Sequence, residues 1–99
     1  MSLDKFQKSI KSDKKPSDDL SVPLQSLWWD GKGDWDKAHD LVNEKSDTAS
    51  AHVHAYLHRK EGDLSNASFW YRRAGKPISE LDLEKEWEQL VVELLENGS

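Results

Sequence analysis

Hydrophobic residues recur at helical spacing along most of this chain. The clearest stripe lies near the end, where apolar side chains repeat at i, i+4, i+7, i+8 and i+11, a spacing that gathers them on one face of a helix. Its members are Leu83, Trp87, Leu90, Val91 and Leu94. Shorter stripes predict further helices over about 21–32, from residue 35, over 48–61 and over 64–74. No segment alternates apolar and polar residues as a strand does, so the predicted fold class is all-α.

The turns between these helices repeat along the sequence. The segment GDWDKAHDLV at 33–42 aligns without gaps to GDLSNASFWY at 62–71. In each copy a glycine ends one helix, and the aspartate that follows it, Asp34 or Asp63, caps the next helix. Apolar residues of the two preceding helices also align in phase. We therefore interpret each copy as the corner of a helical hairpin.

Two other interpretations of the first corner fail. A calcium-binding loop that began at Asp30 would have Lys32 at its third position, where the ion needs an oxygen ligand. A P-loop needs two glycines with four residues between them, then Lys and Ser or Thr, and the chain has no such string. The corner therefore predicts a turn between helices rather than an ion or phosphate site.

The second copy resembles the second half of a tetratricopeptide (TPR) repeat. Four residues fall at that family's spacing: Gly62, Ala67, Tyr71 and Ala74. The resemblance covers roughly residues 22–77 and implies TPR-like helical hairpins, two αα-hairpins plus a C-terminal capping helix at 80–96. It also implies a groove that presents a surface to a partner peptide. The two copies lie 29 residues apart rather than the family's 34, and Ala51, His54 and His58 stand where the family has large apolar or aromatic residues.

The last helix is expected to begin with a capping box. Ser79 is the predicted cap, and Asp82 stands three residues after it. The apolar stripe then predicts that this helix folds back on the second hairpin and buries Trp87, because an array of repeats needs a cap. Alternatively, the same stripe packs on its counterpart in a second chain, and the protein is then a homodimer.

The first twenty residues are mostly polar. Leu3, Phe6 and Ile10 have a short helical spacing, but residues 12–21 are polar and contain a proline. We expect a mobile N-terminal arm over 1–20, followed by a single TPR-like helical domain over 21–99. Neither a signal peptide nor a membrane helix is apparent, which favours a cytoplasmic protein without membrane association.

The composition restricts the possible chemistry. The chain has 99 residues, a formal net charge of −5 and no cysteine, so disulfides and thiolate metal sites are excluded. An acidic protein is a poor general binder of nucleic acid, because the backbone phosphates repel it. Residues 59–76 nevertheless carry a net charge of +3 and interleave basic with aromatic side chains.

Aromatic residues beside the inward stripes, together with residues of the basic segment, are the candidate binding residues. Trp and Arg dominate the hot spots of interfaces. The full set is Trp29, His52, Tyr56, Arg59, Lys60, Trp70, Arg72 and Arg73. We expect a module that mediates protein–protein interaction, binds another protein or an acidic peptide, and performs no catalysis. Nucleotide or nucleic-acid binding through residues 59–76 is the alternative.

His54 and His58 share one helix face because they stand four residues apart. With His39 or Glu61 they could bind a metal, and a metal-dependent enzyme that uses them is the second alternative function. The simpler interpretation is that both histidines pack between two helices. The HExxH motif is absent, and no third ligand stands at a spacing typical of a metal site. We therefore predict no metal and no cofactor.

Overall fold

The computed structural model describes residues 1–97. These residues form six α-helices and no strand, which confirms the all-α prediction. The helices are α1 (Leu3–Ser12), α2 (Val22–Gly31), α3 (Trp35–Val42), α4 (Thr48–Glu61), α5 (Leu64–Ala74) and α6 (Leu83–Glu96).

The two predicted corners join α2 to α3 and α4 to α5. Gly62 ends α4 with a φ of +88°, a left-handed conformation that glycine adopts without strain. The Asp63 carboxylate then accepts the backbone N–H of Asn66 at 3.2 Å and caps α5. Gly33, with a φ of +94°, and Asp34 repeat this arrangement before α3. The glycine–aspartate corners are therefore confirmed.

Helix α4 lies at the centre of the fold, where it packs against α2, α3, α5 and α6. The main core contains side chains from every described helix except α5. Its fully buried members include Phe6, Leu24, Leu27, Trp28 and Leu57. Helix α5 packs mainly against α4, through a small separate cluster of Ala55, Ala67 and Tyr71, and the hydroxyl of Tyr71 also reaches Glu86 on α6. The outer face of α5 therefore has no helical neighbour within residues 1–97.

Helix α1 differs from the mobile arm that we expected over residues 1–20. Phe6 is fully buried against Trp87, with ring centroids 5.8 Å apart. Ile10 packs beside Gly31, where an added Cβ would lie 2.7 Å from Ile10 Cδ1. Burial of this apolar stripe offsets the entropy lost when the segment becomes ordered. The helical domain therefore includes α1.

The last helix begins later than the sequence indicated. α6 starts at Leu83, and Ser79, the predicted cap, lies before it. Ser79 Oγ accepts the backbone N–H of Leu81 at 3.2 Å, a local hydrogen bond that competes with helix formation. Trp87 is buried as predicted, and its indole N–H donates to the carbonyl of Leu27 at 3.0 Å. The helix covers α1, α2 and α4 rather than the second helix pair alone.

Candidate functional site

Tyr56 and Lys60, two of the predicted binding residues, bind the buried carboxylate of Asp30. The Tyr56 hydroxyl donates at 3.0 Å and the Lys60 ammonium at 2.9 Å, while the Asp30 side chain is only 2% exposed. Burial and the nearby negative charge of Asp30 raise the pKa of Tyr56, so its hydroxyl remains a donor. These two residues therefore hold α4 against α2.

Arg59, a third predicted binding residue, holds a second buried carboxylate, that of Glu86 on α6. Arg59 Nη1 donates to Glu86 Oε1 at 2.8 Å, and the hydroxyl of Tyr71 donates to the other oxygen. Burial and this hydrogen bond raise the pKa of Tyr71. Arg59 also donates to the carbonyl of Leu81. The guanidinium therefore fixes α6 on α4 rather than presenting its charge to solvent.

A cavity of about 700 Å³ opens between α1, α2, α4 and α6. Lys8 and Lys11 of α1 line it together with Trp87 and with the pair formed by Asp30 and Lys60. Because Lys60 is bound to Asp30, the charges of these two residues offset each other at the cavity wall.

Trp29 and His52 occupy two other places. Trp29 is half-buried against the main core, and the ammonium of Lys37 lies 4.2 Å from the centroid of its ring. His52 lines a shallow depression with Lys76. Burial, and then the charge of Lys76, lower the pKa of His52 to about 4. The predicted residues are therefore distributed over several parts of the molecule.

The remaining predicted residues, Trp70, Arg72 and Arg73, lie with Phe69 on the outer part of α5, and we call these four residues the α5 surface. The Phe69 side chain is exposed, and its ring meets that of Trp70 edge to face at 5.2 Å. The Arg73 guanidinium lies 6.0 Å from the centroid of Phe69 and 5.6 Å from that of Trp70. Neither Arg72 nor Arg73 forms an ion pair within residues 1–97. This surface therefore offers aromatic area and uncompensated positive charge.

Three histidines meet where α3 packs against α4, and we call His39, His54 and His58 the histidine triad. Each offers one ring nitrogen, and these nitrogens all lie within 4.8 Å of one another. His54 Nε2 and His39 Nε2 are 3.1 Å apart. His54 and His58 are buried, whereas His39 is half-buried. The sequence singled out the pair on α4, and the fold adds a third imidazole from α3.

Two tryptophans enclose the histidine triad. The Trp35 ring stacks on His39, with centroids 4.8 Å apart and planes 9° apart. Its indole N–H donates to the carbonyl of Leu57 at 2.9 Å, which fixes the ring. The Trp70 ring stacks on His54 at a centroid distance of 4.0 Å. Trp70 therefore belongs both to the α5 surface and to the wall of the triad.

The hydrogen bonds of the triad are unevenly distributed. His58 Nδ1 lies 2.8 Å from Glu61 Oε1, so this nitrogen carries a proton and donates to the carboxylate. The buried Nδ1 of His54 has no hydrogen-bond partner among the described residues. Burial, and then the charges of His58 and His39, lower the pKa of His54 to about 4. Burial, and then His58, also lower the pKa of His39.

The sequence named His39 and Glu61 as alternative third ligands, and the structure brings both to His58. His39 joins the imidazoles, whereas Glu61 lies behind His58 and accepts its Nδ1–H. Sequence reasoning missed the aromatic support from Trp35, although Trp35 stands four residues before His39 on α3. It also missed the carboxylate partners on α2 and α6, because no local pattern links them to α4.

No known protein family, curated protein or solved structure matches this chain. Within residues 1–97, no helix combines the length and the apolar character that a membrane crossing requires.

Proposed function

We propose that this chain is a small module that binds another protein, and that an acidic, partly apolar segment of that protein docks on the α5 surface. The observation that carries this proposal is the position of Arg73 over Phe69 and Trp70, on a helix that packs mainly against α4. Tryptophan and arginine are enriched at interface hot spots. The exposed part of α5 therefore has the composition of a docking surface.

The distribution of charge favours an acidic partner. The chain has a net charge of −5, but Arg72 and Arg73 lack ion-pair partners among the described residues. An acidic segment is repelled by most of the molecule and attracted to this face, and such complementarity steers association. The rings of Phe69 and Trp70 then provide contact area for an apolar side chain of the same segment.

We further propose that the two helix pairs are TPR-like hairpins, as the resemblance of the sequence implies. The glycine–aspartate corners and the packing of α2 on α3 and of α4 on α5 support this. The α6 stripe is buried within its own chain at Trp87, Leu90 and Val91. A second copy of the chain is therefore not needed to cover that stripe.

Nucleic-acid binding through residues 59–76 is a weaker candidate. Arg59 and Lys60 are each bound to a buried carboxylate, so their charges are already compensated. The cations that remain in this segment are Arg72, Arg73 and Lys76. Affinity for nucleic acid grows with the number of phosphates that the protein neutralises, and so small a set supports only weak binding.

A random-peptide display library selected on the whole protein tests the proposed function. We expect the enriched peptides to carry aspartate or glutamate next to an apolar residue. The affinity of the best peptide is then measured by fluorescence anisotropy on Phe69→Ala and Arg73→Glu. Each substitution is expected to weaken binding at least about tenfold, because each removes a hot-spot side chain.

Lys45→Glu is the matched control. Lys45 is exposed in the loop between α3 and α4, and this substitution changes the charge by the same amount as Arg73→Glu. Its affinity for the peptide should stay close to that of the unmodified protein. Selection of basic peptides, or equal weakening by Arg73→Glu and Lys45→Glu, would contradict docking on the α5 surface.

A further inference from the structure

We propose that the histidine triad binds a divalent transition-metal ion of the zinc class, with one coordination position open to water or to an external ligand. The Trp70 ring borders both this site and the α5 surface, but the three imidazoles lie outside that surface, so the inference does not depend on the proposed function. It rests on the convergence of three imidazoles from two helices, on the polar and aromatic groups behind them, and on the unpaired buried nitrogen of His54.

The spacing of the nitrogens suits one ion. Zinc lies 2.0–2.1 Å from a histidine nitrogen, so two ligands at a tetrahedral ion stand about 3.3 Å apart. His39 Nε2 and His54 Nε2 are already 3.1 Å apart. The third nitrogen, from His58, lies within 4.8 Å of both, and its ring has to turn toward them to complete the set. Three histidines with an open fourth position are a common zinc arrangement.

The hydrogen bond of Glu61 supports His58 as a ligand. Metal-binding histidines usually donate their second ring N–H to a carboxylate or carbonyl, which sets the tautomer and makes the ligand more basic. Glu61 Oε1 accepts from His58 Nδ1 at 2.8 Å. The Nε2 lone pair of His58 is therefore left for the ion.

Core packing alone accounts poorly for the triad. His54 is 2% exposed, and its Nδ1 has no partner among the described residues, an arrangement that costs stability. An apolar side chain would fill the same space without that cost. An ion at Nε2 leaves Nδ1 unpaired, but its binding free energy stabilises only the folded chain and offsets that cost.

A second group of potential ligands lies next to the triad, and it is less suitable. It consists of His58, Glu61 and Asp63. The carboxylate of Asp63 caps α5 and accepts two hydrogen bonds from Asn66, at 3.2 and 2.7 Å. An ion there would compete with the cap, whereas at the triad it would replace the interaction between His39 Nε2 and His54 Nε2.

Calorimetric titration of the full chain, stripped of metal with a chelator, tests the proposal with Zn²⁺ as the probe. We expect saturable binding of one ion per chain. Co²⁺ should give the visible absorption of a four-coordinate ion, and Zn²⁺ should displace it. His39→Gln and His58→Gln should weaken binding at least about 100-fold, and Glu61→Gln about 10–100-fold, as losses of ligands and of their supporting groups do.

His52→Gln is the matched control, because His52 lies on the same helix two residues before His54 but outside the triad. Its affinity for Zn²⁺ should equal that of the unmodified chain. Circular dichroism checks that each variant is folded, and His39→Gln remains informative even if His58→Gln unfolds, because His39 is half-buried. Absence of one-to-one binding, or equal binding by His39→Gln and the unmodified chain, would overturn the proposal.

Discussion

The two buried carboxylates and the histidine triad are all polar groups inside a small helical protein, yet their surroundings differ. Asp30 has a tyrosine hydroxyl and a lysine as partners, and Glu86 has a tyrosine hydroxyl and an arginine. In the triad, by contrast, His54 keeps a buried nitrogen without a partner among the described residues.

This difference distinguishes buried polar groups that hold the helices together from buried polar groups that are available to a ligand. A buried carboxylate that is fully hydrogen-bonded needs nothing further, and it fixes the elements that supply its partners. Here both carboxylates fix α4, Asp30 from α2 and Glu86 from α6. The triad instead gathers three imidazole nitrogens within 4.8 Å of one another, which is the arrangement that a site for an added ion requires.

The largest predicted effect concerns the better buried carboxylate pair. Arg59→Met leaves Glu86 inside the protein with only the hydroxyl of Tyr71, and we expect the free energy of unfolding to fall by about 3–5 kcal/mol, as it does when a buried ion pair loses one partner. Urea unfolding measures the change. The control is Arg72→Met, the same substitution at an exposed position of α5, which should change the free energy of unfolding by less than about 0.5 kcal/mol. Equal losses in the two variants would show that Arg59 does not stabilise the fold through Glu86.

The second prediction uses metal as a stabiliser. At a free Zn²⁺ concentration one hundred times Kd, the unmodified chain should gain about 2.7 kcal/mol in its free energy of unfolding. His39→Gln should gain almost nothing, because one ligand is gone. Urea unfolding with and without Zn²⁺ measures both values, and an equal gain in the two proteins would place the ion elsewhere.

A smaller effect is expected at the other carboxylate. The Lys60 side chain is 40% exposed, so water can replace part of its interaction with Asp30 when it is removed. Lys60→Met should therefore lower the free energy of unfolding by only about 1–2 kcal/mol. Chemical denaturation again gives the value, and a loss as large as that of Arg59→Met would show that exposure does not separate the two pairs.

The smallest effect on stability is predicted for the α5 surface. Phe69→Ala should change the free energy of unfolding by no more than about 0.5 kcal/mol, since Phe69 is exposed and outside the cores. Thermal melting measures this change, and a marked loss would mean that Phe69 supports the fold rather than a partner.

Local features of the fold were accessible from the sequence. Gly62 ends one helix and Asp63 caps the next, so two adjacent residues are enough to predict the corner. The apolar stripe of α6 is equally local, although the predicted cap at Ser79 placed the start of the helix too early. The stripe of α1 was visible too, but its docking depends on Gly31, which lies beyond the polar segment that follows α1.

The polar clusters depend on contacts between distant parts of the chain. Arg59 meets Glu86 across 27 residues, and His54 meets His39 across 15. Spacing along one helix indicates which side chains share a face, but not which helix covers that face. The pair of histidines on α4 was therefore predictable, whereas the triad required the packing of α3 on α4.

The central claim, that the triad and not the other histidine binds an ion, is tested most directly by a long-range ¹H–¹⁵N spectrum of the imidazole rings. The chain has four histidines, so His52 serves as an internal control in the same sample. One equivalent of Zn²⁺ should shift the ring nitrogens of His39, His54 and His58 and leave those of His52 unchanged. Unchanged signals from all four rings, or a shift of His52 as large as the others, would contradict the claim.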